Sequence, residues 1–331
     1  MIQRRKIVLK RRPDGIPAPD DFELIHEPLP SPRKGEFLIA HDYIGLSPAA
    51  RIRMDDRESY APPLALGEVI YGGIAGHVIA SDHPEYSVGD TVTAVGGWQS
   101  HSISDGRGVE RWDMATGTLP NALGLYGFSG NTAYAGLLGV ARIVAGDTVV
   151  VSAASGAVGS AACQIARILG CRVVGIAGSA EKCAYVRDVL GADACIDRNA
   201  PDFDAQLATA CPDGIDVNFE NVGGKTRDAV LQHMNRFGRV VVCGLIAEYN
   251  ALGASTGPSW FRILHQRLRV EGFLLSDYRH LRADFLRDMK RWHDAGQITY
   301  REDIRDGLET TPAVFADMLS GRNFGKTIIR V

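Results

Sequence analysis

The chain has 331 residues, 45% of them hydrophobic and 23% charged, values ordinary for a soluble globular protein and long enough for two domains. A formal net charge of -3 gives no basis for nucleic acid or an anionic membrane as a partner. No apolar run is long enough to cross a bilayer, and the opening lacks a charged-then-apolar leader with a cleavage site, so a cytoplasmic protein is expected.

The basic runs Arg4-Arg5-Lys6 and Lys10-Arg11-Arg12 bracket Ile7-Val8-Leu9, which reads as a first strand with solvated flanks. The following hundred or so residues are rich in Pro and Gly. Short alternating segments at Phe37–Ala40, Gly76–Ala80 and Thr91–Val95 are separated by turn signals at 32–35 and 88–90. This pattern predicts a small barrel-like β domain over 1–125, completed by 298–331, whose last residues form a returning strand.

From Thr148 the pattern changes to alternating strands and helices. Strands are expected at 148–151, Arg172–Ala177, Ala194–Ile196, Ile215–Glu220, Arg239–Cys243 and Arg269–Leu275. Helices are expected after the first turn and at Ala180–Leu190, Pro201–Ala210, Thr226–Met234 and Phe261–Leu268. Such alternation implies an α/β fold with a doubly wound parallel sheet over 126–297, whose ligands bind beyond the carboxyl ends of the strands. The turn at 153–159, the residues after Ala177 and those after Cys243 should therefore share one crevice.

That turn, Ala153-Ala154-Ser155-Gly156-Ala157-Val158-Gly159, follows the apolar run Val149-Val150-Val151 and opens a helix. A missing Cβ at Gly156 lets backbone approach a pyrophosphate, and Gly159 lets the helix pack closely on the strand. Ala154 stands where the usual fingerprint has its first glycine, and the N–H groups of the first helical turn point at the phosphates. The second strand ends Val174-Gly-Ile-Ala-Gly178 without the acid that would hold a ribose 2′-hydroxyl. Gly178 and Ser179 supply donors there, and Lys182 can reach a 2′-phosphate, which favours NADP(H) over NAD(H). Arg198, after the third strand, adds a guanidinium. The cysteines, Cys163, Cys171, Cys183, Cys195, Cys211 and Cys243, form no C-x-x-C pair and read as buried free thiols in a reducing compartment.

Seven segments in order resemble the medium-chain dehydrogenase/reductase superfamily, and within it the zinc-independent NADPH-dependent alkenal, prostaglandin and curcumin double-bond reductases. They are Leu-Ser-Pro-Ala-Ala-Arg at 46–51, Ser-Tyr-Ala-Pro-Pro at 59–63, Gly-Trp-Gln at 97–99, Ser-Gly-Asn-Thr-Ala-Tyr at 129–134, the turn at 153–159, Asn-Phe-Glu-Asn-Val-Gly-Gly at 218–224, and Asn-Phe-Gly-Lys at 323–326. The resemblance implies a GroES-like first domain, a Rossmann second domain, and a role for Lys182 on the 2′-phosphate. It also implies cofactor contacts from Ala154, Ser155, Gly156, Ala157, Val158, Asn221, Cys243, Phe273, Leu274 and Asn323. Phe273 and Leu274, as apolar strand residues, are expected to be buried in any case, and Asn323 also reads as a turn residue. Tyr249 matches a tyrosine near the nicotinamide ribose and the substrate oxygen, as proton donor or ribose contact. Tyr60, Trp98 and Gln99 are implied at the substrate, with packing as the alternative for the first two.

Zinc-dependent relatives carry a cysteine and a Gly-His-Glu histidine in the first domain. Here those places read Leu-Ser-Pro-Ala and Leu66-Gly67-Glu68, and the first 120 residues contain no cysteine, so no metal is expected. Without a Lewis acid, hydride addition to the β-carbon of an α,β-unsaturated aldehyde or ketone is favoured over reduction of a simple carbonyl. An NADPH:quinone oxidoreductase is the alternative enzyme, and a non-catalytic NADPH-binding sensor or scaffold the alternative outside enzymes. Ser47, Arg53, Phe128 and Asn131 depart from the family pattern near the expected cleft. A homodimer through the outer strand near Arg269–Leu275 is expected, since an apolar sheet edge invites pairing.

Overall fold

The computed structural model describes residues 2–250 and 257–331. The chain divides into two compact units, Met1–Gly124 with Glu302–Val331, and Leu125–Arg301.

In the first unit Ile2–Leu9 and Phe22–Leu29 form an antiparallel ribbon. The larger sheet runs Glu302–Asp306, Lys326–Arg330, Phe37–Gly45, Gly73–Ser81, Thr91–Val95, Glu110–Arg111, with His101–Ser104 also paired to Phe37–Gly45. All its ladders are antiparallel except that between Glu302–Asp306 and Lys326–Arg330, which the helix Thr311–Leu319 connects. The C-terminal strand thus returns to the N-terminal sheet, as its apolar run Ile328-Ile329 required. The strands expected at Phe37–Ala40 and Gly76–Ala80 are longer, reaching Gly45 and spanning Gly73–Ser81.

The second unit holds a six-stranded, wholly parallel sheet. Its spatial order is Ala194–Asp197, Arg172–Ala177, Thr148–Ser152, Ile215–Glu220, Met234–Val242, Arg269–Gly272. Numbered by sequence this is 3-2-1-4-5-6, so the order reverses between the first and fourth strands, where such sheets open a ligand crevice. Thr148–Ser152 is buried at every residue because helices cover both faces of a parallel sheet. The helix Ala157–Ile168 lays Ala161, Ala162 and Ile165, all fully buried, on that sheet.

Two boundaries differ from the sequence reading. The helix expected to reach Met234 ends at Gln232, and Met234 already belongs to the fifth strand. Ile215 pairs with Met234 while Val217 pairs with Arg239, a register shift that leaves Asn235–Gly238 opposite Asp216 alone, with Phe237 at φ 64°. The sixth strand stops at Gly272, so Phe273 and Leu274 lie beyond its end. They are not buried: Phe273 is half-buried and Leu274 is 40% exposed, because the chain leaves the sheet there for a turn of 3₁₀ helix at Leu275–Leu281.

Candidate functional site

The sequence-predicted residues of the second unit follow the carboxyl ends of its six strands, with Arg198 after the third and Phe273 and Leu274 after the sixth. Ala153 takes a left-handed φ of 50°, and it, not Ala154, occupies the strained corner of the first turn. Ala154 is fully buried, its N–H bonded to the Ile176 carbonyl at 3.0 Å, and Ser155 is buried beside it. A Cβ on Gly156 would meet the Ala153 carbonyl oxygen at 3.1 Å, whereas one on Gly159 would meet that oxygen at 2.2 Å. Gly159 is therefore demanded by backbone packing, and Gly156 is left as a surface a ligand can approach. The first bond of the helix runs from Ser160 N–H to the Gly156 carbonyl. The N–H groups of Ala157, Val158 and Gly159 precede it, at the positive end of the helix dipole.

At the end of the second strand Ser179 caps the helix Ala180–Asp188, its hydroxyl accepting from Lys182 N–H at 3.3 Å. Arg198 lies over Gly178, its guanidinium 3.6 Å from where a Cβ on Gly178 would stand. The Asn199 amide donates to the Gly178 carbonyl at 3.0 Å, fastening the turn after the third strand to the second. Arg198 has no acidic partner among the described residues, so the end of the second strand carries an uncompensated cation. Asn199 was not singled out in the sequence.

At the switch point a buried polar network that sequence reading also missed sets the geometry. Glu220 is fully buried and its carboxylate accepts from Ser152 Oγ at 2.8 Å, Val222 N–H at 2.7 Å, Gly223 N–H at 2.9 Å and Asn218 Nδ2 at 3.1 Å. Asn221 donates its N–H to Ser152 Oγ and its side-chain amide to the Ser152 carbonyl, both at 2.7 Å. The signal was an acid ending the run Val217-Asn218-Phe219-Glu220. Cys243 N–H and Gly244 N–H bond the Glu220 carbonyl, and Ala247 N–H bonds the Val222 carbonyl. Glu248 accepts from Gly224 N–H and pairs with Arg227. The loops after the fourth and fifth strands are thereby tied together. On them the Tyr249 hydroxyl accepts from Leu245 N–H at 3.1 Å and lies 3.0 Å from the Cβ position of Gly244. Burial pushes the Cys243 thiol up to about 12, so it stays protonated and apolar in character. The Phe273 ring packs edge-on against Tyr278, with ring centroids 5.8 Å apart.

The first unit treats its candidates differently. Tyr60 is 53% exposed, its phenol pushed up by partial burial and by Tyr71. Arg53 lies 5.4 Å over the Tyr71 ring and donates to the Pro62 carbonyl. Trp98, expected to face the substrate, is wholly buried instead. Its indole packs against Phe22 and Phe315 at 5.7 and 5.1 Å, and a Cβ on Gly72 would lie 3.0 Å from it. Gln99 is buried too, spending its amide on the Gly96 carbonyl and on Arg4. Both are core residues of this unit. Asn323 bonds the Gly325 carbonyl across its own turn. Lys326, also missed as a positioning residue, is buried and donates to the Leu46 carbonyl at 2.8 Å, with burial pulling its ammonium down to about 8. Among the described residues no three His, Cys, Asp or Glu side chains form a group able to hold a metal.

Family models match two stretches, "N-terminal domain of oxidoreductase" over residues 5–112 and "Zinc-binding dehydrogenase" over residues 157–291. The chain is 44% identical to the NADPH-dependent curcumin reductase of Escherichia coli, covering 99% of this chain and 97% of that protein. It is 39% identical to prostaglandin reductase 1 of Rattus norvegicus over the full length of both. The crystal structure of CurA from Vibrio vulnificus in complex with NADPH superposes with a TM-score of 0.94 at 44% identity, covering 99% of each chain. The chain belongs to the medium-chain dehydrogenase/reductase superfamily, in its NADPH-dependent curcumin, prostaglandin and alkenal reductase branch.

Proposed function

We propose that this protein is an NADPH-dependent reductase that transfers hydride to the β-carbon of α,β-unsaturated aldehydes and ketones. The observation that carries the reading is the end of the second strand. It has no ribose-binding acid, and it presents Ser179, Lys182 and an uncompensated Arg198 around Gly178. That donor set fits a 2′-phosphate, since a guanidinium binds phosphate by two parallel bonds and a capped helix start adds N–H donors. The Gly156 turn, with Ala154, Ser155, Ala157 and Val158, fits the pyrophosphate. Asn221, Cys243, Tyr249, Phe273, Leu274 and Asn323 complete the cofactor set in this reading.

When bound, NADPH supplies the hydride. The residues bind, orient and handle the proton. The Ser152–Glu220–Asn221 network joins the ends of the first and fourth strands, and the bonds from Cys243, Gly244 and Ala247 N–H tie the loop that carries Tyr249 to it. The Tyr249 hydroxyl hydrogen-bonds the carbonyl oxygen of the substrate as negative charge develops there, or else holds the ribose. Tyr60 offers an exposed aromatic face to the substrate. Trp98 and Gln99 are assigned to the core of the first unit and leave the substrate set.

The reading extends to assembly and location. Val270 of the edge strand Arg269–Gly272 is 40% exposed, and Trp260, Phe261 and Leu264 on the preceding helix are 77, 73 and 74% exposed. An open strand beside such apolar side chains supports a homodimer closed by strand pairing. Six free thiols and no membrane-spanning helix among the described residues support a cytoplasmic protein. NADPH consumption against a panel of alkenals, enones, quinones and simple aldehydes, with product identification, tests the function. Saturated carbonyl products are expected. Hydroquinone as the sole product would instead place the protein among quinone oxidoreductases.

A further inference from the structure

Arg53 departs from the family pattern and has no part in the chemistry proposed above. It closes the neck of the loop that carries Tyr60. Its carbonyl accepts from Leu64 N–H at 2.7 Å, and its Nε donates to the Pro62 carbonyl at 3.1 Å. Arg12 clasps the same neck, its Nη1 donating to the Met54 and Leu64 carbonyls at 2.8 Å each. The buried pair Arg51–Asp55, at 2.6 Å, fastens the base of the loop. The Arg53 guanidinium lies over the Tyr71 ring, 5.4 Å from its centroid. An arginine stacked on a ring keeps the edge of its fork for hydrogen bonds in its own plane. Nε is spent on Pro62, which leaves the two Nη groups. They make no hydrogen bond or ion pair among the described residues. The acids of the loop do not neutralise them. Asp55 is taken by Arg51 and Arg57, Asp56 faces Arg12 at 4.0 Å, and Glu58 forms no ion pair among the described residues. Arg53 is half-buried, and the hydroxyls of Tyr60 and Tyr71 are likewise without a hydrogen-bond partner among the described residues.

We propose that Arg53 selects enones that also carry a carboxylate, its Nη1–Nη2 edge receiving the two carboxylate oxygens. The assignment rests on the reading of Tyr60 as a substrate residue of an enone reductase. A carboxylate is planar and matches a guanidinium edge by two parallel bonds. The Tyr71 ring and the Pro62 carbonyl already fix the plane of the fork, so little side-chain freedom is lost when the anion arrives. Half-burial between the loop and the ring strengthens the contact over an open surface pair. The contact lies away from the bonds that change, so it is made equally in the bound substrate and in the transition state. It therefore acts on KM and leaves kcat to the enone.

The test measures kcat and KM of the full chain with NADPH for straight-chain enones of increasing length that end in a carboxylate, and for their methyl esters. At the length that reaches Arg53, the KM of the acid is expected to lie below that of the ester by about fivefold or more, with similar kcat. Added salt narrows the gap. Arg53→Met keeps an apolar stem on Tyr71 and removes the fork, and the ratio of acid to ester KM is expected to rise to about one. Arg53→Lys recovers part of the preference, as a point charge without the fork. Equal KM for acid and ester at every length, or a preference that Arg53→Met leaves intact, overturns the inference. So does a weakened NADPH affinity of Arg53→Met, followed by dinucleotide fluorescence without substrate, which would assign the fork to a coenzyme phosphate. The comparison of acid with ester uses the unaltered chain, so it decides even if a variant fails to fold. Failure of the proposed function reads differently, as a chain that reduces neither acids nor esters.

Discussion

In the proposed reading Lys182, third residue of the helix that Ser179 caps, and Arg198, whose guanidinium lies over Gly178, would each add a charge-assisted contact worth about 1.5–3 kcal/mol to a bound phosphate. Lys182→Ala should therefore raise the KM for NADPH by about 10-fold or more and leave that for NADH almost unchanged. Equal changes for both coenzymes would refute the phosphate assignment. Tyr249→Phe removes one hydroxyl held by Leu245 N–H. If that hydroxyl donates the proton, kcat on an enone falls by about 100-fold or more. An unchanged kcat with a raised KM for NADPH assigns it to the ribose. His41 gives a pH prediction. It is buried, bonded to Ser102 Oγ, and burial pulls it down to about 3. The unfolded chain takes up that proton near pH 6.5 and the folded chain does not. Stability therefore falls as pH drops from about 6.5 toward 3, by up to about 5 kcal/mol. His41→Asn should flatten the dependence of unfolding free energy on pH across that window, whatever its effect at neutral pH.

The two glycines of the first turn separate binding from folding. Gly159→Ala drives a methyl to 2.2 Å from a backbone oxygen and should lower Tm sharply along with NADPH affinity. Gly156→Ala needs a shift of only a few tenths of an ångström and should keep Tm near the parent value while NADPH affinity is lost. This turn was legible because a strand of valines, a small-residue corner and a helical apolar stripe each have their own period. The doubly wound parallel sheet followed from the same alternation, whereas the order of its strands did not. What stayed hidden has physical reasons. The register shift at Phe237 depends on a left-handed φ at a bulky residue, and nothing in its sequence demands that conformation. Trp98 sits between Gly97 and Gln99 and reads as a site residue. Gly97 is there for a φ of 73°, and the indole turns inward onto Phe22 and Phe315, partners remote in sequence. Glu220 was passed over because the value of a buried acid depends on four donors that only the fold assembles. The left-handed φ of Ala153 was not read from the sequence, because alanine carries no demand for that conformation.

The chain combines a unit built on a six-stranded parallel sheet with a mainly antiparallel unit completed by the C-terminal strand. Its assembly is tested by placing charge on the apolar edge. Phe261→Glu with Val270→Glu should convert a dimer to a monomer in sedimentation without unfolding it, and an unchanged sedimentation coefficient would exclude this edge as the interface. The central claim concerns where the hydrogen goes. Turnover of an aliphatic enone with NADPH deuterated at C4 of the nicotinamide, followed by NMR of the product, tests it most directly. A saturated ketone carrying deuterium on the β-carbon is predicted. Deuterium on the carbinol carbon of an allylic alcohol would contradict the account.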